Sequence, residues 1–580
     1  MRKLKRFLVL SFTFTLCVLS FTFAQDADLE FTLDTTSETV ALPKIFKPNI
    51  DLSGRGFNRE VTWPQTVADK KVLEAWQKDI GFKGIYRLQY SFWEISDLSR
   101  NKGLQEKLTS NYESIIKSIS DSGGIVIVDL FGTPEGSGRV LDTRSPPRDL
   151  RQYKELIKNT IRELSCIKKY NIWYEVWNSP DSDEFFIGKW QEYLNVYRFA
   201  GEAVKELEHE YKMHIPLGGP GVSWWYQNTE GNTIITPESS LIYELIRYAY
   251  HYRMPLDFIS WHGYSSDPEL EKVATVYKQT AASLLRNWLS YFRQDKNIPL
   301  IVDEWNFDRN ANVLPERSKK SYIAASYIPS RIKNMYQAGI DYQLYFCLED
   351  FQGNKEGVVR NVGIFSFDPE HSQYKGEPKA MYNVFKMLNT LGRDMFAVKL
   401  SDEFAGAIAT KTEDGFVFII YNYIDPDIVN SSLFRNICSL NSTGRKILLN
   451  LIRSNRLNKV LAHEITVESL GVNRRLRALL NGVVEANDKA NKFSATNRTL
   501  KITLKNLKED HLYQRYTVDP ACAAACEFKP VEEKDISATN QYQETLTLAP
   551  YSVHMIVLKI KVKEPGPVPV APAEKEEEKK

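Results

Sequence analysis

The sequence predicts an α/β architecture: a (β/α)8 TIM barrel followed by a C-terminal β-sandwich. Three observations carry that prediction. From about residue 60 to 390, short apolar runs alternate with longer segments of helical periodicity, the pattern of repeated βα units. The span of ~330 residues fits eight such units with loop insertions, and no glycine-rich phosphate fingerprint opens any of the helices, which disfavours a doubly wound sheet. After Gly392 the texture changes to short strands and turns.

The elements follow in chain order. Residues 1–24 read as a secretory signal peptide: Arg2, Lys3, Lys5 and Arg6 form a basic start, 7–23 is apolar apart from Ser and Thr, and Ala24 is a small residue suited to cleavage. An apolar run of about 17 residues is short for a membrane span, so export without a stable span is expected. Residues 25–59 form an N-terminal segment whose alternating stretch 30–42 is a candidate to add strands to the sandwich. The barrel is assigned to 60–394, with candidate strands at 84–90, 125–131, 172–177, 215–218, 258–262, 300–304 and 342–347, and an eighth near Val61. Candidate helices lie at 72–80, 104–120, 151–168, 186–208, 241–252, 270–292 and 319–338. The runs 405–410, 415–423, 446–451, 500–504 and 552–560 assign the sandwich to 395–562. Residues 563–580, rich in Pro, Glu and Lys, read as a disordered tail.

Composition excludes several classes of function. With 75 basic against 73 acidic residues there is no overall field to attract nucleic acid, and loss of the leader takes the net charge from +2 to −2. Aromatic residues make up 12% of the chain, too many for a disordered protein. Beyond the leader, Cys166, Cys347, Cys438, Cys522 and Cys526 form no disulfide framework, although Cys522 and Cys526 are spaced to pair in an oxidising compartment. The eight histidines show no zinc spacing, so no metal and no organic cofactor is implied. Between Arg445 and Arg477 lie eight basic residues against Glu464 and Glu468; a solvated surface is the commoner explanation, an acidic polysaccharide ligand the sharper one.

In a barrel the functional groups gather at the C-terminal ends of the strands. Here those ends read Tyr86-Arg87, Trp177-Asn178-Ser179-Pro180-Asp181, Gly218-Gly219-Pro220, Trp261-His262-Gly263-Tyr264, Asp303-Glu304-Trp305-Asn306 and Leu348-Glu349-Asp350. Aromatic faces that stack on sugar rings, with amides and carboxylates that bond hydroxyls, suit a carbohydrate partner. Several motifs occur in order between residues 174 and 385: Tyr174-Glu-Val-Trp-Asn178, Leu217-Gly-Gly-Pro220, Phe258-Ile-Ser-Trp-His262, Asp303-Glu-Trp-Asn306 and Gly376-Glu-Pro-Lys-Ala-Met-Tyr-Asn-Val-Phe385. As an ordered set they resemble glycoside hydrolase clan A, and within it family 39, which includes β-xylosidases and α-L-iduronidases.

The resemblance implies a retaining glycosidase with two glutamates, the nucleophile matching Glu304. Arg87, Asn178, His262 and Tyr264 would hold the nucleophile and the sugar hydroxyls. At the acid/base position the family pattern Trp-Asn-Glu-Pro is replaced by Trp177-Asn178-Ser179-Pro180, and an alkyl hydroxyl is no general acid near neutral pH. Three readings follow. Another carboxyl could enter from a loop, with Asp181, Asp183, Glu184, Glu135, Glu349 and Asp350 as candidates. The substrate could supply the acid or carry a leaving group that needs none. Or the barrel is a catalytically silent glycan-binding protein. Glu175, four residues before Ser179 and inside its strand, reads as a buried ion-pair member rather than the acid.

Overall fold

The computed structural model describes residues 27–54, 62–97, 101–226, 239–272, 279–307, 319–352, 359–366, 376–398, 400, 402–437 and 439–561. The expected leader and the expected tail lie outside them. Two short strands, β1 (Leu29–Asp34) and β2 (Thr39–Ala41), precede the barrel. The barrel strands are β3 (Ile50–Asp51), β4 (Ile85–Ser91), β5 (Ile125–Phe131), β6 (Ile172–Val176), β7 (Leu217–Val222), β8 (Phe258–His262), β9 (Leu300–Trp305) and β10 (Tyr342–Tyr345). All pair in parallel, and β10 closes onto β3. The first barrel strand is therefore Ile50–Asp51, not a strand near Val61, which is outside the described residues. Two residues are too few to show an alternation, and that is why the sequence hid it.

Side chains alternate across a strand, so every second residue points into the barrel. Near its floor Ile85, Ile127, Phe258, Ile301 and Leu344 form an apolar plug. Two residues further along the strands the inward positions turn polar: Arg87, Asp129, Ser260 and Asp303, all buried. The outward residues Leu88, Val128, Leu130, Tyr174 and Val176 pack in the core that takes in the surrounding helices. Those helices begin where a side-chain oxygen caps the first free N–H groups, as Asp69, Asn101, Asp149 and Thr280 do.

Beyond the barrel come a short hairpin, β11 (Phe351–Gln352) and β12 (Val359–Arg360), and then β13 (Asp394–Phe396), β14 (Ala405–Thr412), β15 (Gly415–Asn422), β16 (Arg498–Leu507), β17 (His511–Val518), β18 (Glu532–Ile536), β19 (Thr539–Leu548) and β20 (Ser552–Ile560). They form two sheets, β1-β16-β19 and β18-β17-β20-β15-β14-β13-β2. Phe31, Leu500 and Ile502 from one sheet meet Ala407, Phe418 and Ile556 from the other in a sandwich core. The opposite face of the larger sheet, including Val417, Ile419 and Met555, packs on the barrel.

One expectation fails here. Residues 446–451 are not a strand but part of the helix Ser442–Arg453, within a helical insertion that also contains Ile428–Ile437, Arg456–Leu461 and Arg474–Ala495. Asn441 caps Ser442–Arg453, and Leu448 and Leu451 face a core of the insertion's own with Leu476, Leu480 and Val483. Among the described residues, no helix is long and apolar enough to cross a membrane. Cys522 and Cys526 form a disulfide, while Cys166 and Cys347 are buried thiols and Cys438 lies outside the described residues.

Candidate active site

The site is built on Arg87, which rises from the middle of β4 and is 1% exposed. Its guanidinium faces five carboxyl groups: Glu175 at 2.7 Å, Glu304 at 2.7 Å, Asp51 at 3.2 Å, Asp129 at 3.4 Å and Asp303 at 3.8 Å. One cation cannot balance five buried anions, so some carboxyls keep their protons. Burial first, then the charges of neighbouring carboxylates against the pull of Arg87, push Asp129 and Asp303 well above the usual range. Burial pushes Asp51 up to about 6, with Glu304 adding to the rise and Arg87 opposing it. Glu175 goes the other way: the burial penalty is outweighed by Arg87 and by hydrogen bonds, including one from Ser260, and it stays ionised.

Glu304 sits at the end of β9. After Asp303 points inward, strict alternation would turn Glu304 outward toward the helices. A register shift intervenes: Trp261 pairs with Val302, but His262 pairs with Glu304. That irregularity aims the carboxylate into the site, where Arg87 donates to Oε1 at 2.7 Å and the Tyr264 hydroxyl donates to Oε2 at 2.7 Å. Asn178 accepts from the second arm of Arg87 at 3.0 Å. Glu304 is 4% exposed, held from both sides.

Ser179 follows β6 in a left-handed backbone conformation, φ 42°, two residues after Trp177 at φ 69°. Its N–H donates to Gly221 O at 3.0 Å and its carbonyl accepts from Ser182 N at 3.0 Å, so the loop is pinned on both sides. The Ser179 hydroxyl lies 3.3 Å from His262 Nδ1, and the opposite ring nitrogen, Nε2, lies 3.5 Å from Glu304. The structure thus joins Arg87, Asn178, Ser179, His262, Tyr264 and Glu304 in one unit. Phe346 adds a half-buried ring, 5.8 Å from that of Tyr264.

The other candidate acids are engaged elsewhere or face solvent. Glu349 is buried and accepts from Asp69 N at 2.7 Å, and Asp350 pairs with Lys379 at 2.7 Å and accepts from Gly363 N. Asp181 accepts from Ser223 N at 3.1 and 3.2 Å, which ties the loop after β6 to that after β7. Asp183 and Glu184 are exposed, and Glu135 is half-buried on the loop after β5. Asp51 and Asp129 were absent from the sequence-derived site. Asp129 had a visible signal, a carboxylate inside the apolar run Ile125-Val-Ile-Val-Asp-Leu-Phe131.

The model of glycosyl hydrolases family 39 matches residues 136–425, half of the chain, spanning Asn178, Ser179, His262, Tyr264 and Glu304. The chain belongs to glycosyl hydrolases family 39. It is 23% identical over 382 residues to a β-xylosidase of Caldicellulosiruptor saccharolyticus, covering 62% of this chain and 72% of that one. To a Geobacillus stearothermophilus β-xylosidase it is 28% identical over 269 residues, covering 43% and 48%. Among solved structures, the GH39 enzyme from Xanthomonas axonopodis pv. citri superposes with a TM-score of 0.62 at 14% identity, covering 92% of this chain and 97% of that one. A monomeric β-xylosidase from Caulobacter crescentus gives 0.60 at 14% identity, covering 92% and 100%. These two likenesses bear on the fold alone. Glycoside hydrolases act on carbohydrate, and that is the substrate class this family membership assigns to the barrel.

The Arg87 cluster makes a direct prediction for stability. Arg87→Met leaves Glu175 and Glu304 buried without their cation and should cost about 3–5 kcal/mol at neutral pH, read from the urea midpoint. Arg87 holds Glu175 below the usual carboxylate range, so the stabilisation it supplies there is lost as the pH falls below ~4 and the penalty should shrink. An equal penalty at all pH values would show that lost packing, not charge, is responsible.

Proposed function

We propose that this family-39 barrel is a retaining glycosidase in which Glu304 is the nucleophile and Ser179 stands where the general acid/base belongs. The observation that carries the reading is Glu304 itself, held between Arg87 and Tyr264 at 2.7 Å each. An arginine sets a counter-charge against one carboxylate oxygen, and a tyrosine on the other fixes its direction. In the first step an oxygen of Glu304 bonds to the anomeric carbon as the glycosidic C–O bond breaks. The departing oxygen takes its proton from water, because Ser179 has none to give near neutral pH. Water then opens the glycosyl-enzyme with net retention, unaided by a base at position 179.

Two consequences follow for substrates. Activated leaving groups should react, while sugar leaving groups should lag by ~10²–10⁴ relative to an enzyme with its acid in place. Azide, which needs no base, should speed turnover where the glycosyl-enzyme accumulates. The test is a series of aryl glycosides of falling leaving-group pKa, with and without azide. A steep dependence with formation of a retained glycosyl azide supports the assignment, and a flat dependence would mean that a general acid is at work. A second reading, a silent glycan-binding barrel, is favoured by Ser179 alone; absence of turnover on every glycoside together with measurable glycan binding would decide for it. The leader-like segment 1–24 and the Cys522–Cys526 disulfide support an extracytoplasmic location.

A further inference from the structure

The helical insertion 428–495 differs in charge from everything around it. It holds eleven basic and four acidic residues, a balance of +7, in a chain whose total is +2, so the remainder stands at −5. Its core fixes where the cations go: with Leu448, Leu451, Leu457, Val460 and Leu476 turned inward, Arg453, Arg456, Lys459, Arg474, Arg475 and Arg477 are exposed. Two other cations of the insertion find carboxylates, Arg435 with Asp267 and Glu269 and Lys489 with Glu485. Among the described residues, none of those six does.

Stability does not account for this arrangement. Arg474, Arg475 and Arg477 occupy the first turn of the helix Arg474–Ala495, where the helix dipole disfavours cations. Crowding like charges on one small subdomain adds repulsion. A bound polyanion would relieve both.

The insertion is fastened beside the site. Arg435, on the helix Ile428–Ile437, grips Asp267 and Glu269 in the loop that follows β8, the loop that carries Tyr264. Phe434 packs against Trp224, in the loop after β7, at 5.8 Å. Both loops leave the C-terminal ends of barrel strands. The helix Ile428–Ile437 therefore borders the loops that carry Tyr264 and Trp224.

We propose that the insertion is a binding surface for an anionic polysaccharide, one bearing repeated carboxylate or sulfate groups. Five of these six cations are arginines, whose planar forks match carboxylate and sulfate oxygens in pairs. The segment 445–477 contains no Phe, Tyr or Trp, so it lacks the stacking faces that single-stranded nucleic acid uses. The surface is separate from the Glu304 chemistry, and binding can be tested whether or not the barrel turns over substrate.

The test is affinity electrophoresis of the full chain in native gels containing polygalacturonate, dextran sulfate or neutral dextran, at rising NaCl. Retardation should be at least tenfold stronger in one or both acidic gels than in dextran and should weaken with salt; which acidic gel retards more identifies carboxylate or sulfate as the group read. The triple variant Arg474→Ser/Arg475→Ser/Arg477→Ser should lose about tenfold or more of that affinity, while its hydrolysis of small aryl glycosides, if present in the parent, stays unchanged. The Arg→Lys triple, which keeps charge but not the fork, should fall between, and it serves as the folded control. Equal mobility in acidic and neutral gels, wild-type retardation of the Ser triple, or equal or tighter capture of duplex DNA would each overturn the proposal.

Discussion

Replacing Glu304 with Ala should lower kcat/KM on activated aryl glycosides by about 10⁴-fold or more, a loss of the size seen when a covalent nucleophile is removed. The loss should not come with unfolding. Glu304 is one of five carboxyls around a single guanidinium, and its charge helps push Asp51, Asp129 and Asp303 upward. Removing it relieves that repulsion, so the urea midpoint should hold or rise. Stereochemistry separates a true nucleophile from a structural carboxylate. With azide present the parent should form the retained glycosyl azide, whereas the Ala variant, with space where the carboxylate was, should form the inverted one. Activity within tenfold of the parent, or retained product from both proteins, would remove Glu304 from the role.

The parts of this site that were legible in the sequence are those whose function shows in residue type at a strand end. Asn178, His262, Tyr264 and Glu304 all follow or end apolar runs, and Arg87 is a charge inside one. Glu175 was legible from its depth in the strand: four residues before Ser179, it lies in the barrel's charged layer and bonds Arg87 rather than reaching the mouth. What alternation could not supply was the register shift that turns Glu304 inward beside Asp303. Nor could it reveal Asp51, whose two-residue strand has no period to read. The helical insertion was missed for a related reason. Lys446-Ile-Leu-Leu-Asn-Leu451 is a short apolar run that suits strand or helix, and the arbitrating signal lay further on, where Leu476, Leu479, Leu480 and Val483 fall at helical spacing. The side chain at position 179 was plain from the start, but its backbone was not. A left-handed serine pinned between Gly221 and Ser182 depends on a loop that only the folded barrel defines.

That pinned backbone gives the prediction with the other largest effect, because it makes the missing acid restorable. The left-handed φ of 42° already carries a Cβ in Ser179, so a longer side chain adds little backbone cost in Ser179→Glu. The introduced carboxyl would be buried, near the Glu304 charge and beside His262 Nδ1. Burial and the like charge would raise its pKa, which is what a general acid near neutral pH needs. On substrates with sugar or alkyl leaving groups, kcat/KM should rise by ~10²–10⁴, while on the most activated aryl glycosides, which need no proton at departure, the gain should stay below about tenfold. An alkaline limb should appear in the pH profile as the new acid loses its proton, absent from the parent. Ser179→Gln, similar in shape but unable to donate a proton in this way, is the control that separates acid chemistry from improved packing. If the Glu and Gln variants gain equally, or if neither gains on poor leaving groups, Ser179 does not mark a lost general acid.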